Sequence, residues 1–353
     1  MSPQDEVPTC QSLSPDLIEA LVDPVERKPL HLVGQFLVAE NGAAYPVVQG
    51  VPVLLRGDVE PTLWVLQKSY SIVREPPHDD PYFIDTLGVN EWEKAAILDS
   101  LRSSEEGVDP VVRYLTRATN GQGYRYGSSD WPAPIPVFPV HGTGVLLDIG
   151  CNWGRWSISA AKEGYRVIGI DPSLGAVLAA KRLARSLGHR IDFVCGDARY
   201  LPFKGETFDR CFSYSVLQHL SREDVQSAVA EIGRVLKPHG RSVVQMARSL
   251  GIRSVFQQAR RGFSAPKGFG VRYWSSRELK LVFSNHIGPT ELEIDCFFGL
   301  GLQASDRDYM TKVARHATSA SEFVKRVARH LPWLKCLADS VYCISRRRGA
   351  AVR

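Results

Sequence analysis

From Val145 onward the chain alternates short apolar runs with amphipathic helical stretches, and that rhythm restricts it to one fold class. Val145-Leu146-Leu147 runs into Asp148-Ile149-Gly150, and a helix is predicted from there through Ala161. Arg166-Val167-Ile168-Gly169-Ile170 stops at Asp171, and a second helix spans about 173–187 with Leu174, Val177, Leu178 and Leu183 on one face. A strand over 191–195 stops at Gly196-Asp197. Another, over 208–213, leads to a helix opened by Ser221-Arg222-Glu223-Asp224, which has the form of a capping box. A strand over 242–246 follows a Lys237-Pro238-His239-Gly240 turn, and Ser275-Ser276-Arg277-Glu278-Leu279 starts a further helix. Residues 291–298 and 340–345 read as strands, with a mainly helical insertion at about 303–335 between them. Strands and helices in this order predict an α/β fold with a doubly wound, mostly parallel sheet of seven strands, covered on both faces.

The 353 residues leave room for a smaller appendage beside that domain. Three units are expected: a small β-rich domain over 1–57, a helical and irregular connector over 58–144 that caps the active site, and the α/β domain over 145–353. The first is marked by Asn41-Gly42 between two β-like runs, a strong hairpin signal. The seven cysteines show no paired C-x-x-C spacing, which argues against a disulfide framework or a cysteine zinc site. MSPQDEVPTCQSLSPD has no basic start followed by an apolar core, and no apolar run reaches the roughly 18 residues that span a bilayer. A reduced, cytoplasmic protein is expected. The net charge of +5 is mild and collects toward the C-terminus, through Arg346, Arg347 and Arg348. It permits an anionic ligand without requiring one, and a nucleic-acid partner is not favoured.

In doubly wound sheets, ligands bind at the carboxyl ends of the strands, where the first turn must bring backbone close to the ligand. Gly150 and Gly154 leave that approach open, and Asn152 tolerates a left-handed conformation better than most residues. A dinucleotide fingerprint would need glycines at 150, 152 and 155, and two of the three fail. Asp171 ends the second strand, where a carboxylate can accept both hydroxyls of a ribose. Asp197 ends the third, where one can accept from an adenine amino group. Each alone could be a helix cap or turn residue. Successive strand ends that all carry suitable polar groups point to a nucleoside-containing ligand.

The set Leu147-Asp148-Ile149-Gly150-Cys151-Asn152-Trp153-Gly154, Gly169-Ile170-Asp171-Pro172-Ser173, Gly196-Asp197-Ala198, Leu201-Pro202-Phe203, Ser213-Tyr214-Ser215-Val216-Leu217-Gln218-His219 and Leu236-Lys237-Pro238-His239-Gly240 resembles the class I S-adenosylmethionine-dependent methyltransferases. It is most similar to the small-molecule subgroup around the ubiquinone and menaquinone methyltransferases. The resemblance covers residues 145–250 well and the last hundred loosely. It implies S-adenosyl-L-methionine as cofactor, with Asp148, Gly150, Cys151, Asn152 and Gly154 around its methionine part. Asp171 and Pro172 would lie at the ribose, Asp197 and Ala198 at the adenine, and Ser213 and Tyr214 beside the methyl donor. Asn152 departs from the usual middle glycine.

Leu21-Val22-Asp23-Pro24-Val25-Glu26, followed by the run from Tyr45 to Leu55, resembles the small zinc-binding domain that activates some methyltransferases. Asp23 and Glu26 stand where that family has cysteines, which implies a metal-free derivative. Methyl transfer from a sulfonium mainly requires alignment and, where the acceptor needs it, removal of a proton. His219 is the candidate proton acceptor and Tyr214 the candidate for orienting an acceptor, each beside a plain packing role. Ala118 to Tyr126, with its glycines and tyrosines, is a candidate lid against the reading of a surface turn. Lys312, Arg315, Lys325, Arg326 and Arg329 among apolar residues could place the insertion on an anionic membrane surface, or form a solvated helix face. The expected activity is methylation of a small molecule or a glycan- or lipid-linked precursor. The alternatives are an RNA or protein methyltransferase and a non-catalytic scaffold. Ser213-Tyr214-Ser215-Val216 lacks the Pro-Pro-aromatic loop of nucleobase and glutamine amino-group methylation, and the acids at 148, 171 and 197 argue against a scaffold.

Overall fold

The computed structural model describes residues 13–62, 64–73, 80–102, 109–120, 135–266, 268–298 and 302–349. A short helix α1 (Pro15–Ala20) leads into an antiparallel meander of β1 (Leu30–Val33), β2 (Phe36–Ala39), β3 (Ala44–Val48) and β4 (Val51–Leu54). The predicted Asn41-Gly42 turn lies between β2 and β3, with Gly42 at φ +84°. Helices α2 (Trp64–Ile72), α3 (Glu91–Arg102) and α4 (Pro110–Asn120) follow. The alternating region then gives β5 (Val145–Ile149), α5 (Arg155–Lys162), β6 (Arg166–Asp171), α6 (Leu174–Ser186), β7 (Asp192–Gly196), β8 (Phe208–Ser213), α7 (Arg222–Val235) and β9 (Leu236–Ala247). The chain closes with α8 (Ile252–Arg260), α9 (Ser276–His286), β10 (Thr290–Cys296), α10 (Lys312–Val327) and β11 (Ser340–Arg346). Of the candidate lid, Ala118 to Asn120 end α4, and residues 121–126 lie outside the described residues.

The predicted α/β architecture holds, but its strand count needs correcting. The sheet has eleven strands and is mixed, in the order β1-β2-β3-β4-β7-β6-β5-β8-β9-β11-β10. β5 to β11 supply seven of these. The five from β5 to β9 are parallel to their neighbours, and β11 and β10 join antiparallel. The sheet continues because β4 lies parallel against β7, with Val53 opposite Cys195 and Leu54 opposite Gly196. A bare β7 would present a row of unpaired backbone groups, and the N-terminal strands cover it.

β5 shows why the central strands form. Leu146 faces one core cluster with Val111, Leu115, Trp156, Val177 and Phe193, while Leu147 and Ile149 face the other with Val225, Val229, Ile232 and Phe283. A strand buried on both faces has to be apolar at nearly every position. Asp148, which breaks that rule, sits at the end where the ligand crevice opens. Helix starts are fixed by side-chain caps: Ser173 Oγ accepts from Ala176 N, Ser221 Oγ from Asp224 N, and Ser275 with Glu278 forms a reciprocal capping box.

Asp23, at a cysteine position of the activator-like pattern, is fully buried. Its Oδ1 accepts from the N–H groups of Val25 and Glu26 at 2.8 and 2.6 Å, and its Oδ2 accepts from Tyr45 O–H at 2.6 Å. The carboxylate thus ties the 23–26 turn to β3. Arg27 then pairs with Glu231 on α7 at 2.8 Å, fastening the segment to the main domain.

Candidate functional site

The chain runs from β5 outward to β6 and β7, then returns to β8 and β9 on the other side. Such a reversal, here between β5 and β8, is where doubly wound sheets place a ligand crevice at the carboxyl ends of their strands. At its floor, Gly150 (φ +73°) and Cys151 both donate their N–H to Ile170 O, at 2.8 and 3.1 Å. A Cβ on Gly150 would stand 2.3 Å from a methyl of Val216. Glycine is therefore required twice, for the left-handed backbone and for the close approach of the β8 loop. Asn152 adopts φ +48°, as its residue type suggested, and its Oδ1 accepts from Trp153 N–H at 2.9 Å. Gly154, at φ +80°, precedes α5. Trp153 is buried in the core beneath the loop, and Trp156 packs against Phe212 and Tyr214 at centroid separations of 5.2 and 4.8 Å.

Three acids stand at successive strand ends. Asp148 is buried and accepts from Ser157 O–H at 2.6 Å. Burial, with the neighbouring Asp171 charge adding to it, pushes its pKa up to about 7. Asp171 Oδ2 accepts from Asn152 N–H and its Oδ1 from Ser173 N–H, each at 3.0 Å, so this carboxylate links the β5 loop to the start of α6. Burial raises its pKa to about 6. Pro172 follows, its carbonyl accepting from the Cys195 thiol.

Asp197 has a partner that the sequence reading missed. Its Oδ2 accepts from Arg199 Nε and Nη2 at 3.0 and 2.8 Å, and its Oδ1 accepts from Arg199 N–H at 2.9 Å. The guanidinium also reaches Asp224 at 3.0 Å and Glu60 O at 2.8 Å. Ala198 opens the 3₁₀ turn that sets this geometry. The spacing Asp-x-Arg was the available signal.

The connector reaches the site as well. Leu174 N donates to Ser69 Oγ at 3.1 Å, Gly175 N donates to Thr86 Oγ1 at 2.7 Å, and Ser173 O–H donates to Thr86 O at 2.7 Å. Two hydroxyl residues about a hundred positions upstream thus satisfy amides at the α6 N-terminus. No local pattern signals this.

On the β8 side, Ser213 is buried and donates its hydroxyl to Ile149 O at 2.9 Å, fixing the distance between β8 and β5. Tyr214 donates its O–H to the buried Asp295 at 3.1 Å, and Asp295 also accepts from Ser340 at 2.7 Å. Burial raises the Tyr214 pKa well above the usual phenol value, so the phenol stays protonated. His219 points elsewhere. Its ring stacks on Phe269 at 3.9 Å, and Nδ1 lies 2.9 Å from Phe269 O. A carbonyl only accepts, so Nδ1 carries the proton and Nε2 is the basic nitrogen; burial lowers the ring's pKa. Tyr214, Ser215, Gln218 and Gln245 line a cavity of about 580 Å³, and His219 is not among its walls.

The titration of Asp148 carries a testable consequence. With a folded-state pKa near 7 and an unfolded value of about 3.9, the native state holds a proton that the unfolded chain has released between those pH values. This group's contribution to stability therefore falls as pH rises through that window and is lowest above it. Asp148→Asn removes the titration. Its melting temperature relative to the unaltered protein is expected to rise steadily from pH 5 to pH 8, and a constant difference in thermal melts would contradict the assignment.

The parallel strands β5 to β9, a glycine-bearing first loop and acids at three strand ends form a setting suited to a nucleoside-containing ligand. Residues 146–240 match the family described as "Methyltransferase domain". The chain is 33% identical over 99 residues to the ubiquinone biosynthesis O-methyltransferase of Azorhizobium caulinodans, covering 28% of this chain and 38% of that protein. It is 37% identical over 99 residues to the biotin biosynthesis bifunctional protein BioHC of Cellvibrio japonicus, covering 28% of this chain and 19% of the relative. It is 29% identical over 152 residues to the methyltransferase GfsG of Streptomyces halstedii, covering 37% and 52%. The chain thus spans well under two thirds of the length of these relatives, and the family match is confined to residues 146–240. No helix among the described residues is long and apolar enough to cross a membrane.

Proposed function

We propose that the chain transfers the methyl group of S-adenosylmethionine to a small molecule or a glycan- or lipid-linked precursor. The observation that carries this reading is the paired geometry of Gly150 and Asp171. A glycine that admits no side chain brings the loop backbone to the ligand crevice, and a buried carboxylate is held in place by two backbone N–H groups. Asp171 would accept from the ribose hydroxyls with its remaining lone pairs, and Asp197, oriented by Arg199, from the adenine amino group. Asp148, Gly150, Cys151, Asn152 and Gly154 would surround the methionine part, with Pro172, Ala198 and Ser213 as supporting contacts.

The bound cofactor supplies an electrophilic methyl on a sulfonium. With the cofactor held by Asp148, Gly150, Asp171 and Asp197, that methyl would be available to the acceptor, whose proton would pass to a base. The chain's contribution is alignment. Tyr214 lines the cavity with its own proton engaged by Asp295, which leaves its oxygen to accept from an acceptor hydroxyl. His219 Nε2 is the candidate for taking up the proton, and because His219 is not among the cavity walls it would do so through an intervening group. The activator-like segment serves as a metal-free docking element, a reading supported by Asp23 filling a cysteine position with hydrogen bonds. Exposed Val313 and Phe323 beside Lys312 and Arg326 support peripheral contact of the α10 insertion with an anionic membrane.

The test is transfer of tritium from methyl-labelled S-adenosylmethionine to a panel of phenols, hydroxy acids, amines and polyprenyl-linked analogues. Labelling of one class, suppressed by S-adenosylhomocysteine, is the expected result. Labelling confined to RNA or to protein would replace this reading with one of its rivals.

A further inference from the structure

The cavity at the ends of β8, β9 and β11 has a wall that the family-like segment does not contribute. That wall is α8 with Arg261, and it is built in reverse. At 100° per residue, Arg253, Ser254, Gln257 and Arg260 fall on one arc of the helix, and all four line the cavity. Ile252, Val255 and Phe256 fall on the opposite arc and are 47, 40 and 59% exposed. A helix positioned only by folding turns its apolar arc inward. Here the polar arc faces a space large enough for a ligand, and the apolar arc faces outward.

Three arginines therefore line one cavity, with Asp339 as the one carboxylate among its described walls; Arg253 Nη1 also donates to Phe298 O at 3.3 Å, and the Arg260 guanidinium lies 5.9 Å from the centre of the Phe256 ring. Asp339 Oδ1 accepts from Ser254 N–H and O–H at 2.7 and 3.0 Å, which holds α8 against β11. Arg261 donates through Nη1 to Val271 O at 2.9 Å, while its Nε finds no partner among the described residues. Gln218, 7% exposed, has an Oε1 likewise unpartnered among them, although its amide nitrogen donates to Ser215 Oγ at 2.8 Å. Buried polar groups are normally paired, so unsatisfied ones at a cavity wall point to a polar ligand.

We propose that this cavity binds a methyl acceptor bearing a carboxylate or phosphate group, held by Arg253, Arg260 and Arg261, with Gln218 accepting from a hydroxyl or amino group of the same molecule. Planar guanidinium groups match both anions in geometry as well as charge. The inference rests on the methyltransferase reading only in calling the ligand an acceptor; the anion preference stands on the wall itself.

The test titrates the full chain, with and without S-adenosylhomocysteine, with benzoate and phenyl phosphate and with neutral benzamide. Binding is read by ligand-observed magnetic resonance. At least one anion is expected to bind about tenfold or more tightly than benzamide. Arg260→Gln with Arg261→Gln should weaken it about tenfold or more and leave the affinity for S-adenosylhomocysteine unchanged. Arg260→Gln alone changes an exposed side chain, so a smaller loss in the same direction is expected without risk to folding. Equal binding of anions and benzamide, no binding of any probe, or full anion affinity in the double variant overturns the proposal. Anion binding without S-adenosylhomocysteine binding would uphold the site and overturn the methyltransferase reading.

Discussion

Arg199→Ala is expected to lower stability by about 3 kcal/mol or more, the usual cost of removing one partner from a buried ion pair. Arg199 and Asp197 are 8 and 6% exposed, and the guanidinium spans Asp197, Asp224 and Glu60 O. Its loss leaves the Asp197 carboxylate buried with, among the described residues, only the backbone N–H of position 199 as a donor. For a chain of this size the corresponding fall in melting temperature is roughly 4 °C or more. Asp224, with more access to water, contributes less. In a double-mutant cycle, Asp197→Ala with Arg199→Ala should cost clearly less than the sum of the single changes, because the second substitution removes the stranded charge. Additive losses in denaturant unfolding would mean that the two side chains do not act as a pair. Arg199→Ala should also weaken S-adenosylhomocysteine, since Arg199 sets the orientation of the carboxylate proposed to meet the adenine.

Asp171→Ala is expected to have the largest effect on the cofactor. The two charge-assisted hydrogen bonds proposed from Asp171 to ribose hydroxyls would contribute about 1.5–3 kcal/mol each, so their loss would amount to roughly a hundredfold or more in affinity. The substitution also releases Asn152 N–H and Ser173 N–H, which loosens the loop on the methionine side. Both effects act in the same direction. Folding should survive, because a buried carboxylate with a pKa near 6 carries its own desolvation cost above that pH, and the variant removes it.

The legible parts of this protein were those encoded locally. Gly150, Asn152 and Asp171 announce themselves because a strand that ends in a left-handed turn, or in a carboxylate, is written in consecutive residues. Seven strands were legible from the same periodicity. The attachment of β4 to β7 was not, because it joins Leu54 to Gly196 through pairing alone, and each run reads equally well as part of its own unit. Ser69 and Thr86 escaped notice for the same reason: a hydroxyl that satisfies a distant helix end looks like any surface serine or threonine. α8 was not read from the sequence at all. Its apolar residues Ile252, Val255 and Phe256 lie on the outer arc while arginines line the cavity, an arrangement that apolar spacing alone does not signal. Tyr214 and His219 sit five residues apart in the sequence, and only the fold separates a side chain facing the cavity from one stacked on Phe269.

Calorimetric titration of the purified chain with S-adenosylhomocysteine, beside Asp171→Ala checked for folding by its melting curve, bears most directly on the cofactor site. Micromolar binding by the unaltered protein, about −8 kcal/mol, with a loss of roughly a hundredfold or more in the variant, is the expected result. A folded, unaltered protein that binds none, or a variant that binds as tightly as its parent, would contradict the site described for Gly150 and Asp171.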